Sequence, residues 1–390
     1  MLLGLLPVNG LLFSQIYIGS YIANLIAIPW VSFLVLPWIL LGLLFIMLNI
    51  HFADNLMVVA DYNLTGLLAI LNKLIIFFPD NLNITTPSWP VFILSCVGAW
   101  ILLSKIYFNK FLGIICLLPL IFNQQITPNY GSAKIAILDV GQGLGVVIQL
   151  QNHLVLYDAG PNNRVMANYL KNFNNKNIDH VIISHTDSDH IGGLEEVTKY
   201  KLVNKLSTSL SDADDAWQTS KQLAIGANQL LANSCIADHV WQLDGVEFEF
   251  LQIKKKKIHK NDSSCILKIT TEQHSILLPG DITAKTEKLL VAKYGDKLKS
   301  DILIIPHHGS GTSSSEQFIT AVSPKYAIVS AGYSNSYGHP KSEILARYIS
   351  NNVGIFNTIE HGTISFNLST IGKTIEYNCY RIAKSNFWNY

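Results

Sequence analysis

Residues 180–193 read HVIISHTDSDHIGG. The first five form a short apolar strand, and a helix opens at Asp189 and runs on through GGLEEVTKY. Between them His185, Asp187, Asp189 and His190 place four metal-competent side chains within six residues. Two imidazoles and two carboxylates this close cannot all satisfy one another, whereas a divalent cation satisfies them together. The plainer alternative, a helix capped by Asp189 with scattered polar neighbours, leaves two histidines and the second carboxylate without a task.

The same order, strand and then ligand, recurs on both sides of this stretch. HLVLYDAG ends on Asp158, HSILLPGD on Asp281, DILIIPHHGS on His307 and His308, and YSNSYGHP supplies His339. Each Asp alone reads as a turn residue and His339 as a turn histidine; beside the 185–190 cluster they read as further site residues. Strands are expected at AKIAILDV, GVVIQL, HLVLYD, HVIIS, VEFEF, SCILKITT, HSILLP, ILIIP, YAIVS, GTISFNL and TIEYN, with helices near 164–174, 284–294, 313–321 and 340–350. Hairpins first and helix-strand alternation later predict two mixed sheets face to face with helices outside, an α/β (αββα) sandwich.

Upstream the composition is of another kind. The chain has 390 residues, 28 Lys+Arg against 27 Asp+Glu, and 49% hydrophobic residues. Yet Met1–Tyr130 holds only Lys73, Lys105 and Lys110 as bases and Asp54, Asp61 and Asp80 as acids. That contrast excludes both a single uniform globular domain and a disordered chain. Five cysteines are too few for a disulfide scaffold, and Cys96 and Cys116 lie in apolar stretches as small hydrophobes. A net charge of +1 gives no bulk attraction to nucleic acid, so such a partner needs a local basic patch.

Residues 31–50, VSFLVLPWILLGLLFIMLNI, are uncharged over the length of a membrane span. PVFILSCVGAWILLS (90–104) and FLGIICLLPLIF (111–122) read as a helical hairpin turning at KIYFNK. Residues 1–30 belong to the same spanning or interfacial bundle, whereas 55–79 are more amphipathic and suit a helix lying on the surface or lining a polar cavity. Lys105 and Lys110 put the hairpin turn on the cytoplasmic side, which sends everything after about Asn123 outside. The expected organisation is transmembrane or interfacial helices over 1–123, a linker over 124–132 and the α/β domain over 133–390.

The motifs DAG, HTDSDH, PGD and HHGS, in that order on strand ends, resemble the metallo-β-lactamase fold. The fuller string LDVGQG, YDAG, HTDSDHIGG, LLPGDI, IPHHGSGTSSS and YGHP resembles the C-terminal domain of the ComEC family of DNA-internalisation competence proteins. PVNG with ANLIAIPWVSFLVLP is similar to the end of that family's membrane channel region. The resemblance covers nearly the whole chain. It implies a multi-pass protein of the inner (cell) membrane with an extracytoplasmic domain, periplasmic if Gram-negative. Its implied partners are DNA, membrane lipid and other DNA-uptake proteins, with oligomerisation open. Full-length family members carry a further N-terminal part, so this chain looks like a truncated member or a fragment.

Departures from the family pattern carry information. The general metal motif is HxHxDH, and here Asp187 stands at the second histidine; Asn261, Asp262 and Ser263 stand where the third is expected, and Leu144 where many members have an acid. The resemblance therefore implies a first metal position with His185, Asp187 and at most a weak third ligand. It implies a second with Asp189, His190 and one of His307 and His308, with Asp281 bridging. Asp189, His190 and Asp281 are the candidate catalytic residues, Asp158 is expected to orient a ligand histidine, and His339 is either a ligand or an orienting group. Two divalent cations are expected, Mn²⁺ or Mg²⁺ favoured by the exchange of imidazole for carboxylate, with zinc as the other candidate.

Paired cations suit phosphodiester hydrolysis. Lys254, Lys255, Lys256, Lys257 and Lys260 sit at an expected hairpin tip and read either as a solvated turn or as DNA phosphate contacts. GSGTSSS offers backbone N–H groups to an anion, and no stacking platform of interleaved aromatics is visible. The expected function is DNA uptake, in which the outer domain degrades the non-transported strand and the membrane half contributes to a single-strand channel. The alternatives are a catalytically inactive DNA-guiding module and a membrane-anchored metallohydrolase of another substrate; loss of two zinc-site histidines speaks against a β-lactam.

Overall fold

The computed structural model describes residues 2–383 apart from 14, 17, 78–81, 84–86, 106–108, 123–126, 172, 174–176, 210–230, 254–259, 371 and 373. The chain divides into two compact units, Met1–Gln125 with Asn172–Asn174, and Ile126–Lys171 with Asn175–Tyr390.

The first unit is helical. Its helices are Leu2–Phe13, Ile18–Trp30 continuing through a π-helical turn at Val31–Val35 into Leu36–Met47, then Ala53–Phe77, Trp89–Leu103 and Lys110–Phe122. A ribbon pairs β1 (Gln15–Ile16) with β2 (Leu82–Asn83). Two stretches, Gly19–Met47 and Ala53–Ile75, are long and apolar enough to cross a membrane. The second coincides with the amphipathic helix expected over 55–79. Asn63, one of its polar members, turns its amide back onto Val59 O at 2.8 Å, and Asn63 O accepts from Trp30 Nε1 at 3.0 Å, so these groups find partners within the unit.

The expected hairpin packs Trp89–Leu103 against Lys110–Phe122, backbone to backbone: a Cβ on Gly98 would stand 2.7 Å from Gly113 O. Lys110 Nζ donates to Ile101 O at 2.7 Å and Ser104 O at 2.5 Å, meeting carbonyls that a helix end leaves unpaired.

The second unit is built on strands β3 (Ala133–Ile137), β4 (Gly145–Gln149), β5 (Leu154–Ala159), β6 (His180–Ile183), β7 (Lys205–Thr208), β8 (Leu231–Ser234), β9 (Val240–Leu243), β10 (Val246–Phe250), β11 (Leu267–Thr270), β12 (Ser275–Leu278), β13 (Ile302–Ile304), β14 (Tyr326–Val329), β15 (Gly354–Asn357), β16 (Ile364–Leu368) and β17 (Glu376–Cys379). They form an eight-stranded sheet, β17-β16-β3-β4-β5-β6-β7-β8, and a seven-stranded sheet, β15-β14-β13-β12-β11-β10-β9. β5 to β8 run parallel, as do β12 to β15, while the remaining neighbours are antiparallel. The expected pair of mixed sheets is therefore present. Sequence reading missed β7, β8, β9 and β15, whose segments KLST, LANS, VWQL and GIFN are too short or too polar to alternate clearly.

Period two decides the layers. Ile276, Leu278, Ile302 and Ile304 point to the core shared with Ile135, Ile148, Val155 and Tyr157 of the other sheet. Leu277 and Leu303 point the other way, onto Leu290, Phe318 and Ile344 of helices Ala284–Tyr294, Glu316–Val322 and Ser342–Ser350. Each fully buried side chain of this kind contributes about 1.5–3 kcal/mol. Across the layers, Tyr157 of β5 donates its buried hydroxyl to Cys265 O at 2.7 Å and Leu278 O at 3.1 Å.

A covalent link adds to this tie. Cys235, which follows β8, forms a disulfide with Cys265, which precedes β11, with Cα atoms 5.8 Å apart and a separation of 30 positions in sequence. Nothing local to either cysteine marks the pair, because the two lie far apart in the chain and meet only through the fold. Cys96, Cys116 and Cys379 are free.

Candidate metal centre

The clustered site residues gather at the C-terminal ends of parallel strands: Asp158 near the end of β5, His185–His190 after β6, Asp281 after β12, and His307 and His308 after β13. The helix expected from Asp189 opens one residue earlier, at Ser188–Ile191, and Gly192-Gly193 interrupts it before Leu194–Tyr200. Asp158, His307 and His308 have φ of 56°, 53° and 55°. Left-handed backbone at non-glycine residues costs free energy and persists only where the surroundings fix it, a common trait of functional sites. Gly143, in the GQG turn, has no alternative: a Cβ there would collide with Asp189 O.

The outer nitrogen of each inward imidazole is held. His190 Nδ1 lies 2.7 Å from Asp158 Oδ2, so this nitrogen carries the hydrogen. His308 Nδ1 donates to Ser330 O at 2.8 Å. Ser184 donates its hydroxyl to Asp158 Oδ2 at 2.8 Å, leaving its oxygen to accept from His185 Nδ1 at 3.0 Å. Three Nε2 lone pairs are thereby turned inward. Ser184 and Ser330, which sequence reading did not single out, set two of them; nothing in their local sequence distinguishes them from other serines at strand ends.

These nitrogens converge on Asp281. Its Oδ1 lies 3.3 Å from His190 Nε2, and its Oδ2 lies 3.5 Å from His308 Nε2 and 3.9 Å from His185 Nε2. Asp189 Oδ2 is 3.3 Å from His308 Nε2 and 3.9 Å from His190 Nε2. Two sets, His185 with His190 and Asp281, and Asp189 with His190 and His308, have donor atoms within 4.8 Å of one another.

Burial alone would drive these groups to their neutral forms. Against it, Asp281 and Asp158 raise His190 well above the usual histidine range, and His190 and His308 hold Asp281 well below the usual carboxylate range. Positive charge belongs where the Nε2 atoms meet. The residues present fit a divalent cation, as this fold implies.

Other expected site residues are placed differently. Of the histidine pair, His308 faces Asp189, while His307 stays at the edge, 3.9 Å from Asp281 and 3.4 Å from Asn261 Nδ2. Asp187 Oδ2 reaches His185 Nε2 at 3.2 Å, but its Oδ1 pairs with Lys260 Nζ at 2.5 Å. Lys260 is thus engaged at the cluster instead of standing on a free tip; Lys254, Lys255, Lys256 and Lys257 lie outside the described residues. His339 lies edge-on to His307, ring centroids 5.9 Å apart, and burial lowers its pKa to about 4. The anion site expected in GSGTSSS is already occupied: Ser314 N and Ser315 N donate to the buried Glu287 carboxylate at 2.5 and 2.8 Å.

Residues 138–333 match the model of the metallo-beta-lactamase superfamily, and residues 1–109 match the model named Competence protein. Competence protein ComA of Neisseria gonorrhoeae is 29% identical over 368 residues, covering 93% of this chain and 50% of that protein. Recombination protein 2 of Haemophilus influenzae is 26% identical over 408 residues, covering 94% and 49%. The chain spans about half the length of these curated relatives. Among solved structures, the metallo-beta-lactamase fold protein YhfI of Bacillus subtilis aligns with a TM-score of 0.41 at 14% identity, over 60% of this chain and 99% of that one. The chain belongs to the metallo-β-lactamase superfamily and carries, ahead of that fold, a region that matches the competence-protein model.

Proposed function

We propose that this chain is a DNA-uptake membrane protein whose α/β domain hydrolyses DNA phosphodiesters, degrading the non-transported strand while the helical half contributes to a single-strand channel. The observation that carries the reading is the convergence of three oriented Nε2 atoms with Asp281 and Asp189, in a chain whose other half matches a competence domain. Asp189, His190, Asp281 and His308 would hold one cation, and His185 with Asp187 would add the weaker second position; Mn²⁺ or Mg²⁺ suits this carboxylate-rich set, with zinc the other candidate. Cations bound there would supply Lewis-acid stabilisation of charge on a phosphoryl oxygen. The chain's own part is orientation: Asp158, Ser184 and Ser330 fix the imidazoles, and the partly exposed carboxylates of Asp187 and Asp189 mark the side from which a phosphate approaches.

Two features support a domain outside the cytoplasm: the Cys235–Cys265 disulfide, which suits an oxidising compartment, and the basic hairpin turn of Lys105 and Lys110. The proposed boundaries are helices over 1–123, a linker over 124–132 and the hydrolase domain over 133–390.

The Asp187–Lys260 pair favours a second reading, a DNA-guiding module in which the first metal position is dead. The full chain in detergent separates the two. With Mn²⁺, Mg²⁺ or Zn²⁺ it should cut DNA, and Asp189→Asn should abolish cutting while low-salt binding survives. Replacing Lys254 to Lys257 should weaken binding across all sequences and flatten its salt dependence. Binding with the expected salt slope but no cutting under any of the three ions would leave the guiding module as the function.

A further inference from the structure

After β14 the chain runs as a loop, residues 331–341, that brings the His339 ring beside His307 at the edge of the metal cluster. Its near end is fixed where Gly332 N donates to Gln142 Oε1 at 3.3 Å, and its far end where Lys341 N donates to Gly309 O at 2.9 Å. Asn335 braces the middle, donating to Gly332 O at 2.9 Å and His339 O at 2.6 Å and accepting from His339 N at 2.9 Å. Lys341 Nζ donates to Tyr337 O at 2.9 Å.

This braced loop holds two aromatic side chains in water. Tyr333 is 86% exposed and Tyr337 63%. Tyr337 stacks on His339 with centroids 5.7 Å apart and planes 23° from parallel. His339 meets His307 at 5.9 Å, and His307 meets His308 at 6.5 Å. A file of four rings thus runs from a metal-site histidine to solvent and ends on Tyr337.

We infer that Tyr337, assisted by Tyr333, is a stacking platform for an unpaired nucleobase of the strand whose phosphate sits at the cluster. The inference rests on the hydrolase reading for the position of that phosphate. A base in a duplex spends both faces on its neighbours, so the platform selects single strands; every base has a π-face, so it selects little among sequences. Two large side chains held out by a loop that binds itself so fully make contact area at low ordering cost.

The test uses the full chain in detergent with Mn²⁺ and a short fluorescein-labelled oligothymidylate, with Kd measured at low salt on the phosphorothioate-linked strand and kcat and KM on the phosphodiester strand. Tyr337→Ala should weaken Kd on the order of tenfold and raise KM more than it lowers kcat, with a smaller loss for Tyr333→Ala. Tyr337→Phe and Tyr337→Trp should bind like the parent, while an abasic strand should bind the parent several-fold worse and narrow its difference from Tyr337→Ala. Melting temperature and metal content should stay put, which separates stacking from collapse of the loop. The platform is overturned if the double alanine variant binds the intact strand as the parent does, if the abasic strand loses nothing, or if phenylalanine fails to restore binding. Tyrosine-dependent binding without cutting would remove the hydrolase reading and keep the platform; cutting indifferent to both tyrosines would do the reverse. A parent chain that binds no strand removes both.

Discussion

His190 and His308, 118 residues apart in the chain, meet Nε2 to Nε2 at 3.2 Å. Each ring has its other nitrogen committed as a donor, to Asp158 and to Ser330 O, so two lone pairs face each other across a gap with Asp281 beside it. Such a pairing is repulsive unless a proton or a cation lies between the two nitrogens, which is what the neighbouring carboxylates favour.

Asp281 is buried in the cluster, and its two oxygens serve both sides of it. Asp281→Ala should strip most bound divalent cation from the dialysed full chain, measured by elemental analysis. A variant that folds normally and keeps its metal would contradict the shared-ligand arrangement.

Asp158 acts through His190. Asp158→Asn keeps the shape but puts an amide where Nδ1–H needs a carboxylate, and cation affinity in a chelator competition should fall about 10–100-fold without emptying the site at saturating metal. Unchanged affinity would mean that the 2.7 Å contact is structural only.

His180 lies far along β6 from the cluster, its Nε2 against Ser207 Oγ at 2.8 Å, with Lys205 and His239 near it. Burial, aided by those two groups, lowers its pKa to about 3. The folded state holds it neutral, so its contribution is full above the unfolded pKa of about 6.5 and is lost as pH falls from there toward 3. Over that window the parent should lose up to about 1.4 kcal/mol per pH unit more than His180→Gln, read from denaturant midpoints. Parallel profiles for parent and variant would show that this histidine does not titrate on unfolding.

Topology has its own test. Asn152→Cys should react with an impermeant thiol reagent in intact cells, and a cysteine beside Lys105 or Lys110 should not. The opposite pattern would turn the proposed orientation over.

Much of this was legible in the sequence because strand periodicity and the strand-then-ligand order are local. HVIIS, HSILLP and ILIIP declare both their layer and the residues that follow them. What a single segment cannot carry is the identity of its partner. Nothing near Glu287 tells that its carboxylate is spent on the Ser314 and Ser315 amides, or near Lys260 that it turns to Asp187. The choice of His308 over His307 likewise depends on a distant partner, the Ser330 carbonyl that takes the His308 Nδ1 hydrogen and turns its Nε2 toward Asp189. Tyr333 and Tyr337 lie in a stretch that reads as a turn, and only the bracing by Asn335 shows that they are displayed.

The Cys235–Cys265 bond also divides the metal site by chain connectivity. His185, Asp187, Asp189 and His190 precede Cys235, whereas Asp281, His307 and His308 follow Cys265. A protease cutting any one peptide bond between 236 and 264 would therefore leave both sets of ligands in one molecule, seen as a single band without reductant and two bands with it. Such a nick would leave the two ligand sets covalently joined through sulfur rather than through the main chain.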